Sequence, residues 1–155
     1  MKITRTADKF VLHLGKRDKH FFLELVKLYP WMPSAHHRLS KSVPLSDDKA
    51  SQQLLDEALA QQRAENKKHL EELLADENRF KESDTGCRLT LASGDLESLL
   101  QVLNDIRVGS WVRLGSPEPK LEVAKLNQSN AKDFWAMELS GYFQMHLLEA
   151  LGRRA

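Results

Sequence analysis

Val11-Leu12-His13-Leu14-Gly15 and, further along, Arg88-Leu89-Thr90-Leu91-Ala92 decide the reading of this chain. Each alternates apolar and polar residues, the period of a half-buried strand. Each then runs into a stretch with helical spacing. At a fixed offset Leu12 matches Leu89, Leu14 matches Leu91 and Asp18 matches Asp95; Phe22-Leu23 matches Leu99-Leu100, and Val26 matches Leu103. The chain therefore holds two copies of a strand–helix unit, at about 10–29 and 88–114. If a pseudo-twofold relates them, their strands pair antiparallel and their helices share a core.

The rest reads as helix and loop. Pro30-Trp31-Met32-Pro33, His36-His37 and Val43-Pro44 form a loop after the first unit, since closely spaced prolines prevent regular structure. Ser46, followed by Asp47 and Asp48, opens a helix expected to run to about Asn78. Leu54, Leu55, Ala58 and Leu59 form one apolar cluster on it, and Leu70, Leu73 and Leu74 another. The polar stretch between them contains good helix formers and no Gly or Pro, so the helix is expected to continue. Lys81 to Gly86 reads as a polar turn. A final helix, about 130–151, is apolar nearly all round, and such a helix sits centrally or in an interface. The expected fold is mainly α: an irregular helical bundle of four to five helices with a small two-stranded antiparallel ribbon, in one domain over 1–155.

The chain has 155 residues, 41% of them apolar, enough to bury one core. Its 23 basic and 22 acidic residues leave a net charge of +1, a balance that argues against a nucleic-acid binder unless a local patch exists. The single cysteine, Cys87, excludes an internal disulfide and a multi-thiolate zinc site. No apolar run spans a bilayer, and a cytoplasmic protein is the expectation.

Leu100-Gln101-Val102-Leu103-Asn104-Asp105-Ile106-Arg107, continued by Arg113-Leu114-Gly115, shows a second pattern. So do Phe134-Trp135, Tyr142-Phe143-Gln144 and Leu147-Leu148-Glu149-Ala150-Leu151. Over about half the chain these residues resemble an uncharacterised family of bacterial proteins, best represented in actinobacteria. Members open with a short strand and helix and close with an aromatic-rich helix. The region Trp31 to Arg63 departs from that pattern. The family has no established activity. Its genes tend to lie beside that of the Clp protease adaptor, so the resemblance implies a link to regulated proteolysis.

Candidate chemistry is sparse. Asp84-Thr85-Gly86 spells the aspartic-protease triplet but has no second copy and no apolar strand before it, so it reads as a surface turn. Glu65, His69 and Glu72 share one helix face at the spacing of metal ligands in bundles; the alternative is an exposed, ion-paired polar stretch. Adjacent His36 and His37 lack further ligands nearby, and Glu138, His146 and Glu149 form a polar strip on the last helix. Cys87 reads as a structural thiol. Arg107 and Trp111 are one helical turn apart, so guanidinium over indole is feasible. Asn104, Asp105 and Arg107 form either an internal polar network or, with Trp111 and Arg113, a recognition surface. Trp31 and Met32 plug the protein's own core or a partner's groove.

The leading expectation is a non-enzymatic interaction or regulatory protein. It has no cofactor, and its partner is another protein of unknown identity or a second copy. The interaction candidates are Trp31, Met32, Arg107, Trp111 and Arg113. Alternatives are a metal-dependent helical enzyme and a nucleic-acid accessory protein using Arg107, Trp111, Arg113, Arg153 and Arg154.

Overall fold

The structure, a computed structural model, describes residues 1–32, 45–118 and 125–153. His36, His37 and Arg154 lie outside them, as do Pro33, Val43 and Pro44. Eight elements follow in order: β1 (Lys2–Thr6), β2 (Lys9–Gly15), α1 (Lys16–Val26), α2 (Leu45–Ala75), β3 (Phe80–Ser83), β4 (Gly86–Ala92), α3 (Ser93–Arg113) and α4 (Ala131–Gly152).

The expectation of a helical bundle carrying a two-stranded ribbon is incorrect. The described residues form four helices and a four-stranded antiparallel sheet of order β1-β2-β4-β3. The pairing of 10–14 with 88–92 is present as the inner pair of that sheet, with Phe10 opposite Leu91 and Leu12 opposite Leu89. The two outer strands escape a sequence reading because they are edges. β3 reads Phe80-Lys81-Glu82-Ser83, and three of its four residues are exposed. Charged, short edge strands also resist pairing with other chains.

The repeat is therefore larger than a strand and a helix. At an offset of 77 residues Ile3 becomes Phe80, Leu12 becomes Leu89 and Asp18 becomes Asp95. Ile3 pairs with Leu12 just as Phe80 pairs with Leu89. Each unit is a hairpin followed by a helix. Leu12 and Leu89, equivalent residues, face each other across the sheet centre, so the pseudo-twofold passes between them.

Asp84-Thr85-Gly86 is the tip of the second hairpin. Gly86 has φ +146°, and a Cβ there would lie 1.9 Å from the Leu14 carbonyl oxygen. Only glycine fits, and the triplet serves as a turn.

Strand alternation sends Phe10, Leu12, Leu14, Cys87, Leu89 and Leu91 to one face, all buried. α1 covers it with Phe22, Leu25 and Val26; α3 covers it with Leu96, Leu99, Val102, Leu103 and Ile106. α4 packs along α3, and its Phe143 meets Phe22 edge to face at 5.5 Å. Ser110 on α3 and Ser140 on α4 are fully buried. α2 is continuous through the polar stretch. Its buried residues, Asn66, Leu70 and Leu73, all fall in its second half. There Asn66 donates to Gln101 Oε1 at 3.0 Å. Leu54, in the first half, is 67% exposed. The opposite face of the sheet carries no helix among the described residues: His13 and Arg88 are exposed and Val11 and Thr90 half-buried.

Candidate functional site

The polar residues of α3 are divided between two places. Asp105 turns toward the segment that follows α1: its Oδ1 accepts the backbone N–H of Trp31 at 2.6 Å and of Met32 at 3.1 Å. Arg63 of α2 approaches its other oxygen at 3.5 Å. Arg113 donates to the Trp31 carbonyl at 3.1 Å and stacks its guanidinium 3.9 Å from the indole centroid. Lys132 of α4 lies 5.2 Å from the same ring. Gly109 makes this fit possible: a Cβ there would stand 2.7 Å from the Met32 nitrogen. Asp105 and Arg113, with Trp31, Met32 and Arg63, thus form an internal strap that ties α2, α3 and the post-α1 segment together. Trp31 and Met32 are half-buried against the protein itself.

Arg107 and Trp111 lie elsewhere on α3. Arg107 donates to Asn104 Oδ1 at 3.2 Å, and Trp111 donates to the Pro117 carbonyl at 3.4 Å. The cation stacked on an indole is Arg113 on Trp31 rather than Arg107 on Trp111. With Val108, Met137, Tyr142 and Met145, the pair lines a groove of about 750 Å³ between α3 and α4. Beyond it, the side of α4 turned from the core exposes Met145 (51%), Leu148 (55%) and Leu151 (40%) over its last turns, while Trp135 (52%) is exposed near the helix start. Met145 belongs to both the groove and this apolar side. α4 is thus central along one side and bare along the other, which accounts for its all-round apolar pattern.

The titratable clusters resolve differently. Glu65, His69 and Glu72 do not converge. His69 Nε2 bonds Asp95 Oδ1 at 2.6 Å, while Glu65 accepts from Gln61. Asp95 also takes Arg79 Nη1 at 3.3 Å and the Ala92 backbone N–H at 2.8 Å. This carboxylate, the third residue of α3, fastens the helix start to β4, α2 and the lead into β3. Its counterpart Asp18 accepts the Met1 amino group at 3.0 Å. His146 packs edge-on against Tyr142 at 4.6 Å. Among the described residues no three His, Cys, Asp or Glu side chains gather as a metal site would require. Cys87 is buried, and burial pushes its thiol up to about 11. It stays protonated at neutral pH and makes a poor nucleophile.

A second recess, about 680 Å³, lies between α1 and α2. Two of its four lysines are engaged, Lys19 with Glu82 at 2.8 Å and Lys27 with Glu24 at 2.7 Å, and Lys16 and Lys67 also line it.

The strap was only half visible in sequence. Asp105 and Arg113 stood out as polar residues in an apolar helix, but their partner, the backbone of Trp31 and Met32, carries no sequence signal. Gly109 was the clue, since a glycine inside a helix marks a close approach. Among the described residues, no helix is long and apolar enough to cross a membrane. Compared with models of protein families, with curated proteins and with solved structures, the chain finds no match.

Proposed function

We propose that this chain is a non-enzymatic interaction module whose α3–α4 groove receives an amphipathic helix of another protein. One observation carries the reading: Met145, Leu148 and Leu151, spaced three residues apart, stand exposed along the last turns of α4, continuous with the groove through Met145. Contiguous exposed apolar surface costs solubility unless a partner covers it. A helix laid into an apolar groove is a recurrent recognition mode. Methionine walls, here Met137 and Met145, adapt to a partner's shape. Arg107 against Glu118 and Glu138 supplies one positive and two negative charges, suited to orienting a helix that bears both signs. The family resemblance adds that the partner belongs to regulated proteolysis.

The test is affinity purification with wild-type chain and with the Met145→Glu/Leu148→Glu variant, alongside sedimentation of each. The wild type recovers one partner in stoichiometric amount, and the variant recovers at least tenfold less while remaining folded. A self-associating wild type would replace the foreign helix with a second copy. A monomer from which both proteins recover the same material would end the proposal.

A further inference from the structure

The sheet face that carries no helix among the described residues has a feature separate from the groove. Lys2 pairs with His13, His13 with Arg88, and Arg88 with Lys81. These pairings place four basic side chains in one straight row across all four strands. Neighbouring strands are about 4.8 Å apart, so the row spans about 14 Å. All four residues are exposed. Among the described residues none of them meets a carboxylate. The outward positions beside the row are Thr4, Thr6, Lys9, Val11, Ser83, Thr90 and Ala92, with no acidic residue among them.

The pseudo-twofold shows that the fold does not require this row. It maps Lys2, His13, Arg88 and Lys81 onto Arg79, Thr90, Val11 and Thr4. Those equivalent positions form the next row but one on the same face, on the other side of the axis. There Thr4, Val11 and Thr90 are uncharged, and Arg79 is held by Asp76 and Asp95. Like charges placed directly opposite destabilise a strand pair. One half of the face therefore carries an unfavourable arrangement that the other half avoids.

We infer that this face binds the phosphate backbone of a double-helical nucleic acid, without sequence preference. A basic row flanked by threonine and serine hydroxyls supplies the donors that phosphates accept. Arg88, near the centre, offers a forked donor. Among the described residues the face presents no exposed apolar anchor of the kind that protein docking uses, and none that would enter a bilayer. Its described outward positions bear no Phe, Tyr or Trp on which single-stranded bases could stack. Among the described residues no element protrudes from it to enter a groove and read base edges. A second copy laid face to face would set one basic row against another. The chain's overall charge of +1 hides the patch because the carboxylates lie elsewhere.

The test is binding of a fluorescent 20-base-pair DNA duplex of arbitrary sequence by anisotropy, at pH 8 and from 50 to 200 mM salt. The three fixed charges Lys2, Lys81 and Arg88 give a slope of log K against log salt of about −2.7, so affinity falls about 40-fold over that range. The Lys81→Thr/Arg88→Val variant gives each position the residue of its symmetry mate. It retains or raises thermal stability, binds at least tenfold more weakly at 50 mM salt, and shows a slope of about −1. If that variant fails to fold, Lys2→Gln/Lys81→Gln serves in its place. Met145→Glu/Leu148→Glu, on the other side of the molecule, binds as wild type. Absence of wild-type binding at 50 mM salt overturns the inference. So does a basic-row variant with unchanged affinity and slope, or displacement of the duplex by polyglutamate or phosphatidylserine vesicles at equal charge concentration.

Discussion

The two hairpin–helix units share a plan and differ where the chain has acquired something specific. Through Val26 and its equivalent Leu103 they run in parallel, each burying the same side of its helix. Beyond that point they part. α1 stops at Val26, whereas α3 continues to Arg113. Asp105 stands where the first unit has Leu28, and Arg107, Trp111 and Arg113 have no equivalents in a helix. The shared part builds the core. The unshared part builds the strap and one wall of the groove. The lesson is that a repeat in sequence locates the scaffold, and departures from it locate the candidate sites.

The strongest way to break this comparison is at the hairpin tips. Gly86 and its equivalent Lys9 occupy the same place in the two units. Gly86→Ala forces a Cβ into the Leu14 carbonyl and is expected to cost about 4 kcal/mol, at the exceptional end for one substitution. Lys9→Ala, on an exposed residue, should stay within about 0.5 kcal/mol. Urea unfolding of both variants decides; equal effects would mean that the second tip is not the tighter of the two.

Next comes the carboxylate at the third residue of each repeated helix. Asp95 serves Ala92, His69 and Arg79 from a buried position, so Asp95→Ala should lose about 2 kcal/mol through the several hydrogen bonds it makes. Asp18→Ala should lose about 1 kcal/mol, the ordinary worth of a hydrogen bond. Thermal unfolding orders the two, and a reversed order would undo the assignment of Asp95 as the fastening point.

Within the unshared half, Asp105→Ala releases two backbone donors and Arg63, for about 2 kcal/mol. The Trp31 environment should change with it, read as a shift in tryptophan emission. Arg107→Ala should cost under about 0.5 kcal/mol and act on partner binding instead. If Arg107→Ala lowers stability alone and leaves binding intact, Arg107 is part of the packing and not of the recognition surface.

The smallest effect concerns Cys87. Burial raises its thiol from its ordinary value near 9 to about 11. The unfolded thiol loses its proton first as pH rises, so the unfolded state binds fewer protons over that interval. Stability contributed by the neutral folded thiol is present below pH 9 and lost progressively between about 9 and 11. Cys87→Ala should remove this component of the alkaline decline, and thiol labelling at pH 8 should be slow until denaturant is added.

How much was legible follows from the same residues. Phe10, Leu12, Leu14, Leu89 and Leu91 alternate strictly, so the inner strands could be read directly. β1 and β3 could not be read from their own composition. Lys2-Ile3-Thr4-Arg5-Thr6 has one buried apolar residue, and Phe80-Lys81-Glu82-Ser83 has none fully buried. Extending the repeat upstream, so that Ile3 met Phe80, was the available signal. The strap escaped because backbone donors make half of it. The basic row escaped because its members lie far apart in sequence and meet only through strand register.

The axis between Leu12 and Leu89 has one last consequence. A two-subunit assembly built around such an axis would display every off-axis residue twice. Joining both halves in one polypeptide lifts that obligation. A single strap, one cationic stripe and one lengthened helix can then each occur once, on a frame that would otherwise duplicate them.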